Sequence, residues 1–196
     1  MKITIIAGIA AIGLLIIALA AFFIISKNND QGLLGEVHEH ADFRMYIHGS
    51  LYNFSQEEYM SSEARTLSNF IHLHDEDGEV IHKHASGITL GFFFNTLGME
   101  LDPSCLILAN GTEYCNDDSY KLRMYVNGRP NNDFQNYEFK DLDQILMTYG
   151  DENESTIKQQ IGSVSDNACI QSGKCPERGE PTDESSCATE GGCVAE

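Results

Sequence analysis

The histidines of this chain have a spacing that indicates a chemical role. All seven lie between residues 38 and 84. Six of them form three His-x-His pairs: His38/His40, His72/His74 and His82/His84. In a β-strand, residues i and i+2 point to the same face, so each pair would present two imidazoles on one side of a sheet. Imidazoles without thiolates favour copper or zinc among the divalent transition metals, so we expect a Cu or Zn site.

The register of one predicted hairpin decides whether two of these pairs meet. A three-residue loop over residues 76–78 would place Gly78 in the left-handed conformation and set His72 opposite His82. The imidazoles would then share one face and the apolar side chains the other. Directly opposed Cβ atoms lie about 4.5–5.5 Å apart, which is close enough for imidazoles to converge on one ion. The expected metal ligands are His72, His74 and His82, with His84, His38 and His40 as further or alternative ligands.

Three acidic residues and the seventh histidine lie near these pairs. Asp75, Asp77 and Glu79 could orient the imidazoles by hydrogen bonds, or they could belong only to a solvated loop. We interpret His48 as a turn residue, because Asn127 takes its place in a similar hairpin sequence. The alternatives to a selected metal site are a solvated histidine face without an ion and weak, adventitious metal uptake.

Turn dipeptides and one helical pattern indicate the secondary structure that surrounds the histidines. Four dipeptides, at residues 48–49, 77–78, 110–111 and 127–128, punctuate strand-like runs and predict four hairpins. Residues 89–97 predict a helix, with Thr89 as the N-cap and Gly98 just after its end. We therefore predict an α+β fold: a mainly antiparallel sheet of hairpins with one packed helix, for which a β-grasp-like arrangement is one form, preceded by a single transmembrane helix.

The predicted domain organisation has four parts. Residues 1–27 are an N-terminal transmembrane signal-anchor, 28–36 a linker, 37–150 the His-rich α+β extracytoplasmic domain, and 151–196 a short helix with a Cys-rich tail. The anchor rests on an apolar run from Ile3 to Ile25, 23 residues long. At about 1.5 Å per residue it is long enough for the hydrocarbon layer and longer than the core of most cleaved signal peptides. The alternative to an uncleaved anchor is a signal peptide that is cleaved off.

The cysteines indicate the cellular compartment in which the domain resides. Six of them lie beyond the apolar run: Cys105, Cys115, Cys169, Cys175, Cys187 and Cys193. Six cysteines allow 15 pairings, among which local pairing is the simplest. Cys105 and Cys115 flank the predicted turn at residues 110–111 and could meet across adjacent strands. Disulfides would place the domain in an oxidising, extracytoplasmic compartment. Zinc thiolates and free reactive thiols are the alternatives.

Charge and motifs leave three classes of function open. The formal net charge is −18, which argues against a nucleic-acid partner, because phosphate binding needs a basic surface. The first class is a membrane-anchored extracytoplasmic protein that sequesters, delivers or senses a metal ion, with another extracytoplasmic protein as a further partner. The second is a metalloenzyme, since His72-x-His74 followed by Glu79 resembles the H-x-H-x(3,4)-E element of cupins. The third is thiol-disulfide exchange, although a C-x-x-C motif is absent from the sequence. No catalytic residue is assigned.

Several motifs together resemble an uncharacterised prokaryotic family. They are His38-x-His40-Ala41, His72-x-His74-Asp75-x-x-Gly78-x-x-Ile81-His82, Thr89-Leu90-Gly91-x-Phe93-Phe94, Tyr125-Val126-Asn127-Gly128-Arg129-Pro130 and Lys140-Asp141-x-Asp143. The resemblance covers about residues 37–150. It implies a single-anchor extracytoplasmic protein with a small α+β domain and supports the histidine pattern. Some members are labelled protein-disulfide isomerase, and the resemblance implies no particular reaction.

Overall fold

The computed structural model describes residues 31–62 and 65–182. The strands in these ranges are β1 (Glu39–Ile47), β2 (Ser50–Leu51), β3 (Ile71–His72), β4 (Val80–Lys83), β5 (Glu100–Leu101), β6 (Cys105–Ile107), β7 (Glu113–Cys115), β8 (Lys121–Val126), β9 (Arg129–Asn131) and β10 (Gln144–Gly150). The helices are α1 (Leu90–Thr96), α2 (Glu154–Ile161) and α3 (Ala168–Gln171), with 3₁₀ turns at Glu57–Tyr59 and Phe134–Asn136.

Seven strands form a mixed sheet, which corrects the predicted fold class. Its order is β3-β4-β1-β10-β8-β9, with β2 also paired to β1, and β5-β6-β7 form a second, three-stranded sheet. At the centre, β1 and β10 run parallel, from Asp42 opposite Gln144 to Ile47 opposite Tyr149. The prediction of a mainly antiparallel sheet of hairpins was wrong here, because turn dipeptides report only neighbouring antiparallel strands. A parallel pair joins segments that are distant in the chain.

The predicted membrane anchor, residues 1–27, lies outside the described residues. No helix in residues 31–62 or 65–182 is long and apolar enough to cross a membrane. The described fold consists of a mixed sheet with short helices, and it does not show the predicted transmembrane helix.

The four predicted hairpins are confirmed. β1 and β2 turn through His48 and Gly49, with φ of 47° and 75°, and β8 and β9 turn through Asn127 and Gly128, with φ of 51° and 73°. Two consecutive residues with positive φ are what a two-residue hairpin loop needs to match the strand twist. The other two hairpins join β3 to β4 and β6 to β7.

The predicted helix α1 covers one face of the large sheet. The Thr89 side chain accepts a hydrogen bond from the backbone N–H of Phe92, and Gly98 follows the helix with φ of 73°. Phe93 and Phe94 are fully buried, with their rings 6.0 Å from that of Phe43 on β1. Burial of each such ring contributes about 1.5–3 kcal/mol, so this face of the sheet is the apolar core.

The chain after β10 crosses the opposite face of the sheet. The short helix predicted within residues 151–196 is present as α2, capped by Asn153. The next residues bind the buried carboxylate of Asp42, which accepts hydrogen bonds from Ser165 Oγ and from the backbone N–H groups of Asn167 and Ala168. The described part of the predicted Cys-rich tail contains the Cys169–Cys175 disulfide. Residues 165–172 contact β1 through the side chains of Asp42 and His40.

Both cysteine pairs in the described residues form local disulfides, as the simplest pairing predicted. Cys105 and Cys115 lie opposite each other on β6 and β7 and are bonded. Cys169 and Cys175 close a short loop that contains the end of α3. Cys187 and Cys193 lie outside the described residues.

Candidate metal centre

Three adjacent strands place histidines on the sheet face opposite α1. His82 on β4 lies directly opposite His72 on β3 and directly opposite His40 on β1. The predicted pairing of His72 with His82 is therefore confirmed. Because side chains alternate between faces along a strand, His38 and His84 share the face of these residues.

The loop between β3 and β4 differs from the predicted one. The left-handed residues are Asp75 and Glu76, with φ of 55° and 59°, whereas Gly78 does not have a positive φ. Gly78 is needed for a close approach, because a Cβ atom there would lie 2.4 Å from the backbone nitrogen of Ser55. The loop is longer and more tightly packed than a three-residue turn, yet it keeps the same register.

Six imidazoles form a closed ring of neighbours on this face. The ring-centroid distances are 4.6 Å for His38–His40, 4.7 Å for His40–His82, 4.1 Å for His82–His74, 5.5 Å for His74–His72, 5.0 Å for His72–His84 and 4.9 Å for His84–His38. Five of these histidines are buried and His38 is exposed. All six predicted ligands thus lie in one cluster, open to solvent on the side of His38.

Within this ring, His38, His40 and His82 form a group that could hold a metal ion. One ligand nitrogen from each residue lies within 4.8 Å of the other two. In the described ranges no other three His, Cys, Asp or Glu side chains meet this criterion. The three predicted primary ligands therefore do not form the compact group: His82 belongs to it, while His72 and His74 are its neighbours.

His40 is held by residues from two distant parts of the chain. Its Nδ1 atom lies 2.8 Å from Ser172 Oγ, and Ser172 Oγ lies 2.5 Å from Asp141 Oδ1. The same Asp141 oxygen accepts a hydrogen bond from the His40 backbone N–H. Burial alone would raise the pKa of Asp141, but hydrogen bonds from Lys174, Ser172 and the His40 backbone outweigh it and hold that pKa below its ordinary value.

Two further imidazoles have hydrogen-bond acceptors beside Nδ1. His74 Nδ1 lies 2.9 Å from Asp75 Oδ2, and His72 Nδ1 lies 2.9 Å from the Ser68 carbonyl oxygen. A carbonyl or an ionised carboxylate can only accept, so we assign a proton to Nδ1 in both rings; in the neutral form of each imidazole the lone pair is then on Nε2. His74 Nε2 in turn lies 3.3 Å from His82 Nδ1.

The three acids near the histidine pairs have different roles. Asp75 contacts His74, as the metal-site hypothesis proposed for acids in this loop. Asp77 accepts a hydrogen bond from the backbone N–H of Glu79, and Glu79 forms an ion pair with Arg44. Of these three carboxylates, the contacts of Asp75 are the ones that could orient a ligand.

His48 behaves as predicted for a turn residue. It is exposed, has φ of 47°, and lies outside the histidine ring. Its imidazole packs against Tyr120 and Tyr149, with ring centroids 4.6 Å and 5.2 Å away. It therefore serves as an internal control for the ring histidines.

Sequence reasoning missed Asp141 and Ser172. Asp141 stood in one of the resembling motifs, but nothing in the sequence connected it with His40, about a hundred residues earlier. The one signal for Ser172 is its position between Cys169 and Cys175, in a segment with few apolar residues. The contact with His40 arises only when the tail folds back over β1.

No protein-family model, curated protein or solved structure matches this chain.

Proposed function

We propose that this protein binds a divalent transition-metal ion, copper or zinc, through His38, His40 and His82. The observation that carries the proposal is the convergence of three imidazole nitrogens within 4.8 Å, on a sheet face that places three more imidazoles beside them. His72, His74 and His84 are the further or alternative ligands.

The donor set supports copper or zinc over harder ions. Imidazole nitrogen suits Zn, Cu, Ni and Fe, whereas Mg²⁺ and Ca²⁺ prefer oxygen ligands. The four cysteines in the described residues are bonded in disulfides and offer no thiolate. Among the described residues, the expected ligands are therefore neutral imidazoles rather than thiolates.

The surroundings support capture of a cation from an oxidising compartment. Two disulfides are typical of proteins outside the cytoplasm, so we propose an extracytoplasmic location. The net charge of −18 would raise the local concentration of cations, and exposed His38 gives an ion access to the buried imidazoles. Sequestration, delivery and sensing of the ion all fit this arrangement.

A metalloenzyme is the second candidate. Three histidines with a fourth position for water or substrate form the arrangement of several catalytic zinc sites. Cupins, in contrast, are double-sheet jelly rolls, and the described residues form a mixed sheet with a parallel central pair. Binding of a small anion to the loaded centre would reveal an open coordination position and favour the enzyme.

The test is metal content and affinity of the full chain, produced in an oxidising host without a histidine tag. Elemental analysis should find about one equivalent of copper or zinc. His38→Ala, at an exposed position, should weaken binding at least about tenfold, as loss of a ligand or its support does. His48→Asn, which copies the residue at the matching turn, should bind like the unmodified protein. A chain that takes up no metal at micromolar concentration would overturn the proposal.

A further inference from the structure

The loop closed by Cys169 and Cys175 reaches the candidate metal centre. It is fixed to β1 at its start, where the backbone N–H groups of Asn167 and Ala168 donate to the Asp42 carboxylate. Ala168 is fully buried and Cys175 nearly so. Ser172 lies at the end of α3 inside this loop, and its hydroxyl is the atom that touches His40.

The hydrogen bonds around Ser172 have one consistent arrangement of protons. Asp141 Oδ1 lies 2.5 Å from Ser172 Oγ, and the other Asp141 oxygen forms an ion pair with Lys174. An ionised carboxylate only accepts, so the single hydroxyl proton of Ser172 must point to Asp141. The 2.8 Å contact between Ser172 Oγ and His40 Nδ1 then needs the proton of the imidazole. His40 thus carries a proton on Nδ1, and in the neutral form of the imidazole its lone pair is on Nε2.

We propose that Ser172 is a positioning residue of the metal centre, which holds the His40 imidazole as the Nδ1–H tautomer and presents Nε2 to the ion. The inference rests on the proposed function. Carboxylates and carbonyls commonly orient metal-bound imidazoles in this way; here Asp141 acts through a serine hydroxyl. The Cys169–Cys175 loop is therefore part of the metal centre, although no ligand comes from it.

The test has one readout that needs no metal. Long-range ¹H–¹⁵N spectra of the metal-free full chain report which nitrogen of His40 carries the proton. We expect Nδ1–H in the unmodified protein and in Ser172→Thr, which keeps the hydroxyl, and loss of this preference in Ser172→Ala. An Nε2–H tautomer in the unmodified protein would overturn the inference, whether or not the protein binds metal.

The second readout is affinity for zinc, measured by competition with a chromophoric chelator. Ser172→Ala should weaken binding by about 10- to 100-fold, and Ser172→Thr should restore most of the loss. The matched control is Ser165→Ala, which removes a tail hydroxyl that binds Asp42 and leaves the contact with His40 in place. Equal affinities of the Ser172→Ala and Ser165→Ala variants would contradict a positioning role, while zinc binding that is absent throughout would contradict the proposed function instead.

Discussion

His74 Nε2 lies 3.3 Å from His82 Nδ1, and the far nitrogen of His74 contacts the Asp75 carboxylate. With the proton of His74 assigned to Nδ1, its Nε2 accepts, so His82 donates from Nδ1 and carries its lone pair on Nε2. His40 has the same arrangement through Ser172 and Asp141. Two of the three candidate ligands are thus oriented by hydrogen-bonded chains that end in a carboxylate.

The first prediction concerns Asp75. Asp75→Asn should weaken zinc binding about tenfold, because a neutral amide holds the His74 proton less firmly and the orientation of His82 depends on it. Asn tolerates the left-handed φ of 55° at this position, so the loop should keep its shape. Asp77→Asn in the same loop is the control, since Asp77 contacts the Glu79 backbone. Competition with a chelator measures the zinc affinity of both variants. Equal losses of affinity would argue against an orienting role for the hydrogen bonds from Asp75 through His74 to His82.

The second prediction is that the two described disulfides differ in their effect on zinc affinity. Replacing Cys169 and Cys175 by serine should weaken zinc binding by about as much as Ser172→Ala, at least about tenfold, because the loop that positions Ser172 loses its closure. The same replacement of Cys105 and Cys115, in the separate three-stranded sheet, should leave affinity unchanged. Chelator competition on both double variants, with circular dichroism to check folding, makes the comparison. Equal affinity of the two variants would argue against a role for the loop.

The third prediction concerns the buried carboxylate of Asp42. Burial raises the pKa of Asp42, and hydrogen bonds from Ser165, Ala168 and Asn167 oppose that rise without cancelling it. Because the pKa is raised in the folded state, the Asp42 carboxylate binds a proton more tightly in the folded protein than in the unfolded protein. Its contribution to stability is therefore greatest in acid and is lost as the pH rises from about 4 through the folded pKa.

Asp42→Asn removes this titration. The free energy of unfolding of the variant, relative to that of the unmodified protein, should rise as the pH increases from about 4 to 7. Urea unfolding at several pH values, with a chelator present, measures the difference. A difference that is constant with pH would show that burial does not perturb Asp42.

The fourth prediction tests how the β3–β4 loop is packed. Gly78→Ala should destabilise the protein by about 1–3 kcal/mol, because the added Cβ would clash with the backbone of Phe54 and Ser55. The control is Gly162→Ala at the end of α2, where φ is −69° and the nearest heavy atom is 3.4 Å away. Its effect should stay within about 0.5 kcal/mol. Urea unfolding compares the two, and equal effects would contradict the close approach at Gly78.

Local patterns in the sequence predicted much of this structure. Alternation of apolar and histidine residues around residues 71–84 was enough to pair His72 with His82, because a slip by one residue would exchange the two faces. The turn at His48 and the N-cap at Thr89 followed from local backbone preferences. Such features depend on residues only a few positions apart.

Long-range features could not be predicted in this way. The parallel pairing of β1 with β10 joins segments about a hundred residues apart, and no turn signal marks it. The same holds for the contact of Ser172 with His40, which depends on the tail crossing β1. For this reason the histidine cluster was predicted, while its compact triad and the residues that orient it were not. The predicted membrane anchor, residues 1–27, lies outside the described residues.

X-ray absorption spectroscopy of the zinc-loaded full chain tests whether His38, His40 and His82 bind the metal ion. We expect the zinc ion to be bound by three imidazole nitrogens at about 2.0–2.1 Å and by no sulfur. His38→Ala should lower the imidazole count by one, and His48→Asn should leave it unchanged. Sulfur at about 2.3 Å, or an imidazole count that falls in the His48 variant and not in the His38 variant, would show that these three histidines do not hold the ion.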